Sequence, residues 1–247
     1  MSLVLAALLT FALTTVFTMA GVGAAFVLIP VFLTFGIELQ TAMATALLLN
    51  AVAMAVASAT FIRKGLVAWR LVLPMLVLAV LASPLGVHLA QGMDRRLLLG
   101  LFVAFLLFAA LMILLYRPRT RAARVSTREA LTLGLPIGAL AGFVGGLLGV
   151  GGGNIIVPAL VASGMEPKRA SASAACVVLF ASLAGFLAHV SVARIDSALL
   201  VTTGLASAAG AGLGAWLASE KLAGEQLKRV IALVLIAVAI KTAWSLV

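Results

Sequence analysis

Charge is scarce in this chain. Of its 247 residues only 10% are charged, and seven are acidic, whereas 64% are apolar. A soluble domain carries roughly 25% charged and 45–50% apolar residues. With a mean hydropathy of +1.28, a water-soluble fold of this length could not hide its apolar side chains, because interiors are limited by surface-to-volume scaling. A soluble enzyme and a disordered chain are thereby excluded. Cysteine is nearly absent too. Cys176 stands alone inside an apolar run, which excludes a disulfide scaffold and a cysteine-based metal site. There are two histidines, and no carboxylate pair, metal-spaced cluster or nucleophile triad is visible, which speaks against an intramembrane hydrolase. No enzymatic activity, metal or cofactor is expected. What remains is an all-α polytopic membrane protein.

Ten apolar runs are present, at about 2–20, 22–35, 41–62, 70–90, 97–115, 130–148, 153–164, 171–190, 197–218 and 227–246. A spanning helix needs about 20 residues. The runs 22–35 and 153–164 are too short, each follows a glycine cluster, and each holds a proline, Pro30 or Pro158. They are expected to be broken or re-entrant half-helices. The run 1–20 ends in a Thr-Met-Ala string that resembles a cleavage site, but it lacks a basic start and its counterpart 130–148 is internal, so a retained helix is expected.

The stretch 116–128 carries five arginines and divides the chain almost in half. Shifting the first half by 128 residues lays Gly21-Val22-Gly23 on Gly149-Val150-Gly151, Pro30 on Pro158, Gly36 on Gly164 and Glu38 on Glu166. Glycine, proline and glutamate matches at one offset indicate a duplication. The expected organisation is a first transmembrane repeat over 1–115, a basic cytoplasmic linker over 116–129 and a second repeat over 130–247. With an odd number of crossings per half, thirteen basic residues fall inside and four outside; with an even number the split is ten to seven. The positive-inside rule selects the first arrangement, two inverted repeats with both termini outside. It also accounts for the net charge of +10 without nucleic acid.

The most informative string runs from Gly145 to Asn154 and leads into Ile-Ile-Val-Pro. Gly151, Gly152 and Gly153 free the backbone from helical dihedrals, and the short helix after them aims unpaired N–H groups and a positive end into the gap. Such a start binds anions, and irregular backbone survives in a bilayer only where protein or a cavity surrounds it. The pairs Gly142/Gly146 and Gly145/Gly149 have the small-xxx-small spacing of helix packing and are assigned to it. A dinucleotide fingerprint is excluded, because no strand precedes the string and its third glycine is Asn154. The first-half string Gly21-Val22-Gly23-Ala24-Ala25 has lost two glycines, so unequal contributions are expected.

A Gly-x-Gly-Gly-Gly string, an apolar stretch and a proline, duplicated across such a chain around a basic linker, resemble the TauE/SafE sulfite-exporter family of anion permeases. The resemblance covers nearly the whole chain and is strongest at Gly149–Pro158 and Gly36–Ala46. It implies passage of sulfite, organosulfonates or related sulfur-containing anions across a bacterial cytoplasmic membrane.

The candidate substrate-binding residues are Gly21, Gly23, Ala24, Thr41, Thr45, Asn50, Gly151, Gly152, Gly153, Asn154, Ser171 and Ser173. Thr41 and Thr45 share one helix face, and Ser171 and Ser173 lie in the matching helix. Each hydroxyl can serve a substrate oxygen or its own helix backbone. Asn50 is the single amide deep in a long run, where it must find partners. His88 and His189 near helix ends read as interfacial residues or as a proton relay, and Glu38 and Glu166 as solvated caps or gate residues. The leading expectation is a secondary transporter with its site between inverted halves. A passive anion channel is the alternative; a membrane-embedded scaffold or enzyme subunit is a third reading. The expected partners are a small anionic substrate, the lipid bilayer and, as an allowed arrangement, a second copy in a homodimer.

Overall fold

The computed structural model describes residues 3–115, 127–190, 196–220 and 225–244. The arginines of the linker up to position 124 therefore lie outside the described residues. Ten helices follow one another: α1 (Leu3–Met19), α2 (Ala25–Thr34), α3 (Leu39–Arg63), α4 (Trp69–Gln91), α5 (Arg95–Leu115), α6 (Thr127–Leu148), α7 (Gly153–Ala162), α8 (Pro167–His189), α9 (Ser197–Glu220) and α10 (Glu225–Trp244). They match the ten apolar runs. Among the described residues, six are long and apolar enough to cross a membrane: α3, α4, α5, α6, α8 and α9. The two short elements, α2 and α7, have 10 residues each. At 1.5 Å per residue that is about half of a 30 Å hydrocarbon core.

Exposure follows the bilayer rather than water. Along α4, Leu73, Val77, Leu81, Leu85 and Leu89 are all exposed. They recur every fourth residue and so form one helical stripe. On a soluble protein such a stripe would invite association; in lipid it is the solvent face.

The two halves interlock through equivalent contacts. In α6, a Cβ added at Gly138, Gly142 or Gly146 would lie 2.3, 2.3 or 2.0 Å from the carbonyl oxygen of Met75, Ala79 or Ser83 in α4. The residue numbers rise together, so α4 and α6 run parallel with their backbones in contact. A Cβ at Gly86 would meet the carbonyl oxygen of Phe143, and one at Gly214 that of Thr15. The 128-residue shift converts the first pair into the second.

The relation between the halves is set by the central helices. Asn50 of α3 bonds Ser182 of α8, and Gly185 of α8 sits against Leu47 of α3. One numbering rises as the other falls. Helix α3 is thus antiparallel to α8, its own counterpart in the repeat, and the halves are inverted about an axis across the helices. At one end of the bundle the Lys64 ammonium donates to the Ser219 hydroxyl at 2.6 Å, and the Lys168 ammonium donates to the Ser219 carbonyl. At the other end Gln40 donates to the Ala90 carbonyl and Gln91 to that of Ala188. Arg63, Lys64, Arg70, Lys168 and Arg169 therefore share one end, as the loop charges require.

Candidate anion site at the helix breaks

Helices α1 and α6 stop inside the bundle, and glycine makes each stop. Gly21 and Gly23 have φ of 73° and 74°, and Gly149, Gly151 and Gly152 have φ of 71°, 75° and 81°. These left-handed values are costly for any residue with a Cβ. Gly149 is therefore a helix stop, and it also packs, since a Cβ there would lie 2.9 Å from Met43 Cβ of α3; Gly142 and Gly146 pack against α4. Gly145 lies against the break itself, with a Cβ there 2.7 Å from the Gly152 nitrogen.

The breaks meet near mid-depth. Asn50 is the twelfth of the 25 residues of α3, about 16 to 20 Å from either helix end. A Cβ added at Gly23 would lie 1.9 Å from Asn50 Oδ1, and one at Gly151 would lie 2.6 Å from Asn50 Nδ2 and 2.4 Å from Ser182 Oγ. One amide thus spans both breaks. The breaks also touch each other, since a Cβ at Gly153 would lie 2.7 Å from the Val22 carbonyl oxygen.

The starts of α2 and α7 are buried and uncapped. Residues 21–25 and 151–154 are all buried. The N–H groups of Gly23, Ala24, Ala25 and Phe26, and those of Gly152, Gly153 and Asn154, find no backbone acceptor among the described residues. Neither N-cap residue, Ala24 or Gly152, supplies a side-chain bond. Helices that begin at the surface differ: Asp94 Oδ1 accepts from Arg96 and Leu97 at the start of α5, and Asp196 Oδ1 accepts from Ala198 and Leu199 at the start of α9. Buried orphan N–H groups are costly, and side chains add more of the same. Asn154, 4% exposed, has neither amide atom partnered, and Asn50 Oδ1 is likewise unpartnered among the described residues. Asn50 Nδ2 donates to Ser182 Oγ at 3.0 Å.

The sequence candidates divide accordingly. Gly23, Asn50, Gly151, Gly152, Gly153 and Asn154 come together at the breaks. Ala24 caps α2 at φ −105°, so the missing glycine coincides with ordinary backbone, unlike Gly152. Ser171 lies against Gly21, with its hydroxyl donating to the Ala20 carbonyl at 2.9 Å; it fastens the end of α1. Thr45 donates to the Thr41 carbonyl within α3, and Ser173 accepts from the Ala68 N–H ahead of α4. Those hydroxyls have structural partners of their own. Ser182 was not legible, being one serine in an Ala-rich helix whose counterpart in the repeat is Met54. His189, the last residue of α8, is fully buried, without a partner for either ring nitrogen among the described residues. Glu38 and Glu166 are exposed at the starts of α3 and α8, as solvated residues would be.

The sequence profile of the family described as "Sulfite exporter TauE/SafE" matches residues 6–242. The chain belongs to this family. It is 29% identical over 203 residues to the probable membrane transporter protein y4hK of Sinorhizobium fredii, covering 81% of each chain. It is 32% identical over 209 residues to a probable membrane transporter protein of Xylella fastidiosa strain Temecula1, covering 81% of this chain and 77% of the relative. A relative of the same description in strain 9a5c is 32% identical over 190 residues, with 73% and 71% covered. No solved structure matches. This family member is a multi-pass membrane transporter and not an enzyme.

The contact between Gly23 and Asn50 has a measurable consequence. Gly23 and Gly36 share a left-handed backbone, but a Cβ at Gly36 meets nothing within 4 Å. Gly36→Ala should cost only the backbone strain, about 1–2 kcal/mol. Gly23→Ala adds the collision with Asn50 and should lower the melting temperature in detergent further. Equal melting temperatures for the two variants would show that Asn50 does not press on the first break.

Proposed function

We propose that this protein is a secondary transporter that moves a small anion, sulfite or an organosulfonate or related sulfur-containing anion, across a bacterial cytoplasmic membrane by alternating access. The observation that carries the reading is the meeting of two uncapped, buried helix starts on one amide at mid-depth. The N–H groups of Gly152, Gly153 and Asn154 are the donors best placed for the anion, because backbone without a Cβ lets a ligand approach closely. Asn50 and Asn154 add side-chain amides. The backbone N–H groups of Gly23 and Ala24 contribute less, since Phe26 occupies the place equivalent to Asn154 and packs edge-on against Phe17 at 4.7 Å between ring centres.

Alternation follows from the inversion. Related halves exchange roles when one arrangement tips into its mirror, opening the site first to one side and then to the other. A solute gradient or the membrane potential drives the cycle, as the sequence holds no nucleotide-binding motif. The repeats occupy 1–115 and 130–247, and the linker faces the cytoplasm. Cysteines introduced one at a time at Thr120 and at Trp244, which is 80% exposed, with Cys176 replaced by alanine, should label from opposite sides. Labelling from the same side would remove the inverted topology.

Gly152→Val places a branched side chain at φ +81° and puts its Cβ 2.3 Å from the Ala141 carbonyl oxygen. Losing one or two charge-assisted hydrogen bonds, at about 1.5–3 kcal/mol each, weakens binding tenfold or more. Ala24→Val, on ordinary backbone, should cost less. The measurement is sulfite or methanesulfonate counterflow in proteoliposomes, with both variants monodisperse. Wild-type flux from folded Gly152→Val would place the anion elsewhere, and flux that never saturates would favour a channel.

A further inference from the structure

The charge available at the breaks limits the charge of the ligand. This inference rests on the anion-transport reading and adds the substrate's ionisation state to it. Along α3 the lysine or arginine nearest Asn50 is Arg63, and along α8 the one nearest Ser182 is Arg169, each thirteen residues away, while the buried imidazole of His189 closes α8 seven residues beyond Ser182. At 1.5 Å per residue both arginines are about 20 Å distant. Positive potential at the site therefore comes from the two helix starts. Each is equivalent to roughly +0.5 of an elementary charge, and together they supply about one. The side chains added there, Asn50, Asn154 and Ser182, are neutral and buried.

Taking an ion out of water carries a Born cost that grows with the square of its charge, and a buried ion needs compensating charge. One unit of compensation suits a monoanion and leaves a dianion half uncompensated. The amides fit the same species in a second way. Asn50 holds Ser182 through one amide atom and leaves the other without a partner, and Asn154 leaves both. A serine hydroxyl donates or accepts, so the Asn50 amide can turn to offer N–H or C=O. The site can thus receive an oxyanion that carries its own O–H, with the proton donated to an amide oxygen.

We propose that the site binds and transports singly charged oxyanions, sulfonates and hydrogen-bearing acid anions, and discriminates against the dianions of the same shape. Binding to the purified full-length protein tests this with three probes. Methanesulfonate and sulfate are tetrahedral and differ by one charge. Inorganic sulfite passes from monoanion to dianion as pH rises through its second ionisation. Methanesulfonate should bind at least tenfold more tightly than sulfate. Apparent affinity for total sulfite should fall with rising pH, while that for methanesulfonate, which does not titrate there, stays level and so controls for the protein's own titration. Sulfate binding as tightly as methanesulfonate, or sulfite affinity that rises with pH, overturns the charge rule. If in that case Gly152→Val abolishes binding of both anions, the site stands and the rule alone falls. If no probe of either charge binds to monodisperse protein, the anion-transport reading falls as well.

Discussion

The hydrocarbon core of a bilayer offers no hydrogen bond to a peptide group, and the rest of this structure is arranged around two places where the backbone breaks nonetheless. An interrupted helix in lipid is tolerated only inside protein. Accordingly the breaks lie at the crossing of α3 and α8, the two helices that run through the middle of the bundle. Around them, the glycines of α6 seat against the carbonyls of α4, close enough to seal the interior without large side chains. The outward residues of the same helices, such as the leucine stripe of α4, are left for lipid.

Inversion gives two equivalent breaks, but the side chains that finish them are not equivalent. Asn50 corresponds to Val178, Ser182 to Met54 and Asn154 to Phe26. The repeat built the frame, and departures from it built the polarity. The second break collects an amide from its own short helix and shares Asn50 with the first; the first is closed by the Phe17–Phe26 pair. In the proposed site the two helix starts set the potential, while the second break provides the contact surface.

How far this was legible in the sequence follows from that division. Composition and run length determine ten helices, because the bilayer imposes one length and one polarity on every span. The repeat is legible because glycine and proline at breaks have no substitute: Gly21, Gly23, Pro30 and their counterparts are fixed by backbone geometry. Asn50 stood out because an amide is rare in such a run. Thr45 and Ser173 are ambiguous in the sequence because a hydroxyl in a helix has a backbone carbonyl or a neighbouring N–H within reach, and which one it takes depends on packing. Ser182 and the burial of His189 depend on the pairing of α8 with helices distant in sequence, which no local pattern carries.

The central claim is that an anion sits on the broken backbone between α3 and α8. The most direct measurement is an anomalous-difference map from crystals soaked with selenite, a heavier relative of sulfite. The account predicts a peak within hydrogen-bond reach of the Gly152, Gly153 and Asn154 nitrogens and of the Asn50 amide. A peak instead in the cavity of about 350 Å³ lined by Glu38, Gln40 and Arg95 at the end of α2, with none at the breaks, would contradict it.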